Sequence, residues 1–363
     1  MRRAAFRCCQ RKKRIAKNNL QIPVFLIAIL SALLFGAATP LSKSLLDHLS
    51  SFQLAGLLYI GAALGVILLV IRERKFLWPW KMDHKNSLRL LGAVLFGGML
   101  GPVAQLAGLR LANAASVSMW LNLEMVATAI LGHFIFKDHL TRIGWFAAGG
   151  ILLSAVILTS GEGSAGVMAG ILVSLACICW GIDNHLTALI DGITPAQSTL
   201  WKGLVAGTTN LIIGISIAPL TGSVGSVIGG LVLGVFAYGF SIVLYITAAQ
   251  QLGATRSQLI FSSAPFWGIL LSILILGEKF TWQLAIAILL FIVSLSLLMR
   301  EQHQHKHVHE SITHEHSHRH DDGHHDHHEN DAPDGWHSHL HQHDFLKHSH
   351  PHWPDLHHRH LHE

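Results

Sequence analysis

Between Ile22 and Met299 the chain consists of long apolar runs separated by short polar breaks, and this pattern limits what it can fold into. A span of about 20 residues with its loop takes about 28 residues, so the region has room for ten spans. Lipid offers no partners to backbone N–H and C=O groups, so runs of this length must be helices. The runs do not alternate as barrel strands do. The predicted spans are residues 22–41, 52–71, 88–108, 113–134, 142–160, 167–190, 197–218, 226–247, 254–276 and 281–299.

The composition agrees with a membrane protein. Apolar residues make up 51% of the chain and charged residues 13%, whereas a soluble chain needs about 25% charged residues. The sequence has no Gly-x-x-x-x-Gly-Lys-[Ser/Thr] motif, which argues against an ATP-driven pump, and no HExxH or Ser/His/Asp set of plausible order. We therefore predict no enzyme activity, no required cofactor and no nucleic-acid partner.

The distribution of cationic residues predicts the orientation. Residues 1–21 form a basic leader with eight Lys and Arg, and the loops after spans two and four are also basic. Cytoplasmic loops carry the excess of Lys and Arg, so both termini are predicted to be cytoplasmic in the inner (plasma) membrane. The leader resembles the basic part of a signal peptide, but a full span and nine more follow it, so we predict that it is retained.

An internal repeat relates the two halves of the apolar region. Asn122 through Thr141 align with Ser262 through Thr281 at an offset of 140 residues, and Phe35–Pro40 have a counterpart in Trp180–Asn184. Two copies of five spans must have opposite orientations, because five is odd. Inverted repeats are common in secondary transporters, which hold their substrate near the midplane between the repeats. The predicted units are residues 22–160 and 161–299.

Three motifs accompany the repeat: Phe35-Gly36 with the later Lys43 in span one, Ser262–Pro265 in span nine, and the Leu276–Lys279 ending of that span. With the two five-span units, these motifs resemble the EamA-type branch of the drug/metabolite transporter superfamily. The resemblance covers residues 22–299 and implies a ten-helix secondary carrier, often an exporter of metabolites or drugs. The fold class is thus predicted to be an all-α integral membrane protein, made of two inverted five-helix repeats plus a disordered tail.

The first repeat departs from this pattern at two places. Lys137-Asp138 stand where the second repeat has Gly277-Glu278, and Met125 stands where it has Pro265. Because proline is the residue that interrupts a helix here, we expect the helix break in the second repeat alone.

Glu124 lies near the middle of span four and is the main candidate for a functional group. An ionised carboxylate at this depth is costly, so it should face a wet cavity, pair with a cation or be protonated. Helical spacing places Asn113, Trp120, Glu124 and Thr128 on one face, which would form a cavity wall. The functional interpretation is a proton-coupling or cation-binding group, and the alternative is a protonated carboxyl group that joins two helices.

Further polar residues lie toward the ends of other spans. Asp183 and Asn184 of span six belong either to the pathway or to the headgroup level of the membrane. Lys202 of span seven can pair with Asp183 or extend to the interface. Lys43, toward the outer end of span one, matches a lysine that recurs in the family and can bind a substrate or a carboxylate, or extend outward.

Residues 300–363 form a tail with 23 of the 28 histidines and few aliphatic residues, which predicts disorder. A His-x-His-x-His-x-His-acid pattern recurs in it. Neutral imidazole suits Ni, Zn and Co, so the tail is predicted to chelate divalent metal, with a bare solubilising tail as the alternative. The predicted ligands are His303, His305, His307, His309, His314, His316, His318, His320, His337, His339, His341, His343, His348, His350 and His352.

The sequence thus favours a proton-linked secondary transporter in the lipid bilayer that exports a small organic metabolite or drug and carries a metal-binding tail. A divalent-metal exporter and a non-transporting membrane metal sensor are the alternatives. The spans lack the clustered ligands that a desolvated divalent ion needs, which argues against the exporter of metal.

Overall fold

The structure is a computed structural model that describes residues 24–73, 76–135, 142–190, 193–252, 260–299 and four short segments of the tail. In this part of the chain eight helices are long and apolar enough to cross a membrane, and two shorter apolar helices follow. The predicted all-α membrane fold is confirmed; the basic leader lies outside the described residues. The helices are α1 (Val24–Leu45), α2 (Ser51–Arg72), α3 (His84–Leu111), α4 (Ala114–Ile135), α5 (Arg142–Gly161), α6 (Gly163–Ala188), α7 (Pro195–Ile217), α8 (Val224–Tyr245), α9 (Ala264–Leu276) and α10 (Trp282–Met299).

Helices α2 and α7 form an antiparallel pair that relates the two repeats. The buried Gln53, at the start of α2, donates from Nε2 to the carbonyl of Ala218 at the end of α7, at 2.9 Å. The buried Gln197, at the start of α7, accepts from the backbone N–H of Leu77 beyond the end of α2, at 3.2 Å. Each repeat thus uses a glutamine to bind the far end of its partner helix, as two copies of opposite orientation require.

Glycines allow these helices to approach closely. A Cβ atom at Gly203 of α7 would lie 2.7 Å from the carbonyl oxygen of Tyr59 on α2. One at Gly65 of α2 would lie 3.0 Å from the backbone of Gly239 on α8. Small residues at helix interfaces are the usual means of bringing membrane helices together, because lipid supplies no hydrophobic force between them.

Each repeat contains a π-helical segment among its described residues. The segments Val94–Leu100 in α3 and Gly234–Phe240 in α8 both have seven residues. They lie 140 residues apart, which is the offset of the internal repeat. A π turn widens the helix and disturbs the regular i→i+4 bonding, and such turns often mark functional positions. The two repeats therefore share this backbone irregularity at equivalent positions.

Helix α4 is interrupted at Leu121–Asn122, so the prediction of a break in the second repeat alone is wrong. The first part of α4 ends at Trp120, and a second part begins at Leu123. The Asn122 side chain donates to the carbonyl of Met119 at 2.9 Å, and its backbone N–H also points to that carbonyl. An asparagine side chain competes with the helix for backbone partners, so this break needs no proline. In the second repeat a turn at Ser262–Ser263 precedes α9.

The described segments of the tail are four short strands. They are β1 (Gln304–His309), β2 (Ile312–His318), β3 (His337–His343) and β4 (Leu346–Pro351). Strand β1 pairs antiparallel with β4, and β2 pairs antiparallel with β3. The histidines recur at every second residue, and two residues is also the repeat of a β-strand.

Candidate transport site

Asp183 of α6 and Lys202 of α7 form an ion pair across the interface between two helices. The Nζ atom of Lys202 lies 2.9 Å from Oδ2 of Asp183, and both side chains are largely buried, at 17% exposure for the lysine and 11% for the aspartate. Thr187, one turn along α6, donates to Oδ1 of Asp183 at 2.8 Å. Of the two possibilities for Lys202, the structure shows pairing with Asp183.

Glu124 lies beside this pair, in the second part of α4. Its Oε1 atom accepts a hydrogen bond of 2.8 Å from Nδ2 of Asn184 on α6. The same amide lies 3.4 Å from the hydroxyl of Thr128, one turn along α4. The ring of His185 contacts the carbonyl of Thr128 at 2.9 Å. The structure therefore brings together Glu124, Thr128 and Asn184, three of the predicted site residues, next to two more, Asp183 and Lys202.

The π segment of α3 packs against Asp183. Its Gly97 carbonyl accepts two hydrogen bonds, one of 2.5 Å from the hydroxyl of Tyr59 and one of 3.1 Å from the indole of Trp180. Asn210 of α7 donates to the next carbonyl, that of Gly98, at 3.2 Å. A π segment frees carbonyls from the helix, and three surrounding helices supply the donors. Sequence analysis missed Tyr59 and Asn210, whose partners lie 38 and 112 residues away in the chain.

Aromatic rings from the second repeat continue the site. Tyr238, in the π segment of α8, lies 5.9 Å from the ring of Tyr59 and 5.9 Å from the ring of Phe35 on α1, between centroids. Phe261 lies 5.2 Å from Phe35 and 5.0 Å from Tyr245. Such separations are typical of attractive aromatic contacts. The rings of Phe35, Tyr59 and Tyr238 are only partly buried.

Trp120 and Asn113, which were predicted to line a cavity together with Glu124, make their contacts away from it. Trp120 is fully buried and donates from Nε1 to the carbonyl of Ala155 on α5, at 3.1 Å. Asn113 precedes α4 and donates from Nδ2 to Glu162 at 3.0 Å. The prediction that both share one face with Glu124 is wrong, because the turn at Leu121–Asn122 changes the direction of the side chains that follow it.

Lys43 lies apart from Glu124 and Asp183 and binds the end of a helix. Its Nζ atom donates to the carbonyls of Leu109 at 2.6 Å and Ala112 at 3.0 Å, at the end of α3. Arg110 of α3 donates in return to the carbonyl of Leu49, just beyond α1, at 3.1 Å. Cations are favourable at helix C-termini, where carbonyls lack partners. The two residues thus join the ends of α1 and α3.

The Glu278 side chain, from the Leu276–Lys279 ending, binds the start of α4. Its two carboxylate oxygens accept from the backbone N–H groups of Ala114 at 2.7 Å and Ala115 at 2.8 Å. The hydroxyl of Ser116 donates to Glu162 in the same turn. Acidic side chains stabilise a helix N-terminus through its free N–H groups and its dipole. The motif therefore connects the second repeat to the first.

All the predicted metal ligands are histidines of the tail. His303, His320 and His352 lie outside the described residues, and the other predicted ligands belong to β1–β4, where the structure describes the backbone. Within the described part of the chain no three His, Cys, Asp or Glu side chains are grouped so that they could hold a metal ion.

Comparison with known proteins agrees with the fold. Residues 22–160 and 167–300 match the EamA-like transporter family. An "uncharacterized transporter" of Methanothermobacter thermautotrophicus is 26% identical in an alignment of 281 residues that covers 71% of this chain and 80% of that protein. The "uncharacterized inner membrane transporter YicL" of Salmonella typhimurium is 24% identical in an alignment of 275 residues that covers 70% of this chain and 87% of that protein.

A solved structure described as "crystal structure of protein" shares the fold, with a TM-score of 0.56 at 17% identity. The match covers 77% of this chain and 99% of that one. The family matches together span three quarters of the sequence and both five-helix repeats. The chain therefore belongs to the EamA-like transporter family and is a multi-pass membrane transporter.

Proposed function

We propose that the chain is a proton-coupled secondary transporter that exports a small organic solute, with both termini in the cytoplasm and a tail that binds divalent metal. The observation that carries this proposal is the position of Glu124. This carboxylate lies at the middle of α4, is partly exposed, and has the neutral amide of Asn184 as its hydrogen-bond partner. Ionisable residues at such depth face cavities and mark ion pathways.

The amide of Asn184 allows Glu124 to exist in both protonation states. An ionised carboxylate accepts from the amide NH₂ group, and a protonated one can donate to the amide oxygen after rotation of the group. A cationic partner would favour the ionised state alone. Among the described residues the structure shows an ion pair between Asp183 and Lys202 and none at Glu124. Glu124 is thus the carboxylate suited to taking up and releasing a proton during each transport cycle.

Glu124→Gln is expected to abolish proton-coupled transport while the protein still folds and inserts. Glutamine keeps the size of the side chain and its hydrogen bond with Asn184, but it cannot exchange a proton. The measurement uses proteoliposomes that enclose a pH-sensitive dye and receive a panel of metabolites and drugs, together with radiolabelled forms of those that move protons. The variant should lose solute-driven proton flux and accumulation of solute against a gradient.

Asp47→Asn serves as the matched control, because Asp47 is an exposed carboxylate just beyond the end of α1. It should couple solute to protons as the unmodified chain does. Proton flux of normal size through Glu124→Gln would contradict the proposed role of Glu124.

Truncation after Arg300 is expected to leave transport intact and to remove most of the metal binding. The tail follows α10, and its four described strands pair with one another. Comparison of the full chain with the truncated chain by Ni²⁺ and Zn²⁺ calorimetry should show loss of the micromolar or tighter sites. Binding in the full chain should weaken between pH 7.5 and pH 5.5, because metal requires neutral imidazole and the unperturbed pKa of histidine is about 6.5. Equal metal stoichiometry in both forms would contradict the assignment.

A further inference from the structure

When Glu124 is ionised, the centre of the bundle carries a negative charge that no described side chain balances. The described titratable groups around Glu124 are Cys177, Asp183 and His185 on α6, Lys202 on α7 and Tyr59 on α2. Asp183 and Lys202 neutralise each other at 2.9 Å, with Thr187 as a further donor. The His185 ring is directed to the carbonyl of Thr128. A buried charge is costly unless it is compensated, so an ionised Glu124 requires a cation from outside the described chain.

The rings of Tyr59, Trp180 and Tyr238 are connected with Glu124 through a series of contacts. Tyr59 contacts the ring of Tyr238 and shares the Gly97 carbonyl with Trp180. Trp180 lies one helical turn before Asn184, whose amide binds Glu124. Residues four apart on a helix lie on the same face. Glu124 is thus connected to Trp180, Tyr59 and Tyr238 through Asn184 and the Gly97 carbonyl.

A carboxylate beside several aromatic faces suits an organic cation. The face of an aromatic ring carries negative potential and attracts an ammonium group, most strongly where water is excluded. An anionic solute would instead meet the charge of Glu124, while Lys202 already has a partner in Asp183. A neutral solute would leave the charge of Glu124 without compensation.

We propose that the central site binds a monocationic organic amine, whose ammonium group pairs with Glu124 and whose apolar part packs on Tyr59, Trp180 and Tyr238. This inference rests on the proposed function and names its substrate class. The amine and a proton compete for the same carboxylate. Binding of the cation therefore releases a proton from Glu124 to solvent, and binding of a proton releases the cation.

The test uses three probes that share a benzyl group and differ in charge: benzyltrimethylammonium, benzyl alcohol and phenylacetate. The detergent-purified full chain is titrated calorimetrically in a chelator, so that the tail holds no metal. The cation should bind saturably and at least about tenfold more tightly than the neutral and anionic probes. Its affinity should fall as the pH is lowered, with up to one proton released for each cation bound.

Glu124→Gln should weaken binding of the cation about tenfold or more and abolish its pH dependence, whereas Asp47→Asn should bind as the unmodified chain does. Tyr59→Phe keeps the ring and should retain most of the affinity, while Tyr59→Leu should lose up to about tenfold. Circular dichroism and gel filtration identify variants that fail to fold.

Three results would overturn the inference: no saturable binding of benzyltrimethylammonium, equal binding of the three probes, or unchanged binding in Glu124→Gln. The inference and the proposed function can fail separately. If a neutral or anionic solute drives proton flux that Glu124→Gln removes, then the coupling role of Glu124 stands and the substrate class is wrong. If the cation binds as expected but its transport moves no protons, then the binding site stands and the proposed coupling is wrong.

Discussion

Gly97→Ala is expected to separate α3 from α6 and to lower the free energy of unfolding by about 3 kcal/mol or more. A Cβ atom at this position would coincide with the carboxylate of Asp183 and lie 2.7 Å from its Cβ. A change of rotamer can move the carboxylate but cannot move the Cβ, so the backbone of one helix must shift. That shift would also disturb the hydrogen bonds that Tyr59 and Trp180 make to the carbonyl of residue 97.

Gly149→Ala provides the matched control, since Gly149 lies within α5 and a Cβ there would meet no atom within 4 Å. Alanine is the better helix former by up to about 1 kcal/mol, so this variant should be neutral or slightly more stable. Both can be compared by reversible unfolding in mixed detergent and by solute binding. A Gly97→Ala variant as stable as the control would show that α3 and α6 do not pack this closely.

The number and positions of the spans could be predicted from the sequence because they depend on local composition. A run of about 20 apolar residues has few other stable environments, and all ten predicted spans correspond to apolar helices. The backbone irregularities could not be predicted in the same way. The π segment at Val94–Leu100 is stabilised by side chains of α2, α6 and α7, which only the assembled bundle brings to its carbonyls.

The candidate site shows the same division between local and tertiary information. Depth in a span identified Glu124, and of the two possibilities given for Lys202 the structure shows pairing with Asp183. The prediction that Trp120 shares a helix face with Glu124 is wrong because it assumes an uninterrupted helix. Helix α4 has a turn between these two residues. Asn122 was the available signal, since asparagine often competes with the helix backbone for hydrogen bonds.

Lys202→Met is expected to be the most destabilising change of a single charge in the site. Asp183 would keep the hydrogen bond from Thr187 but lose its cation at 2.9 Å, while its side chain remains largely buried. Removal of one member of a buried ion pair typically costs about 3–5 kcal/mol, because the other charge stays without compensation. Reversible unfolding should show this loss, and binding of solute should weaken together with the stability.

The double variant Asp183→Asn with Lys202→Met distinguishes the cost of an unpaired charge from the value of the pair itself. Asparagine can still accept from Thr187, and no charge remains buried, so most of the lost stability should return. A double variant that is as unstable as Lys202→Met would mean that the pair stabilises the fold directly. A double variant that folds normally but no longer transports would instead show that the pair takes part in the transport cycle. Because the pair packs against Gly97 and lies beside Asn184, the partner of Glu124, it would then link movement of the π segment to the charge state of Glu124.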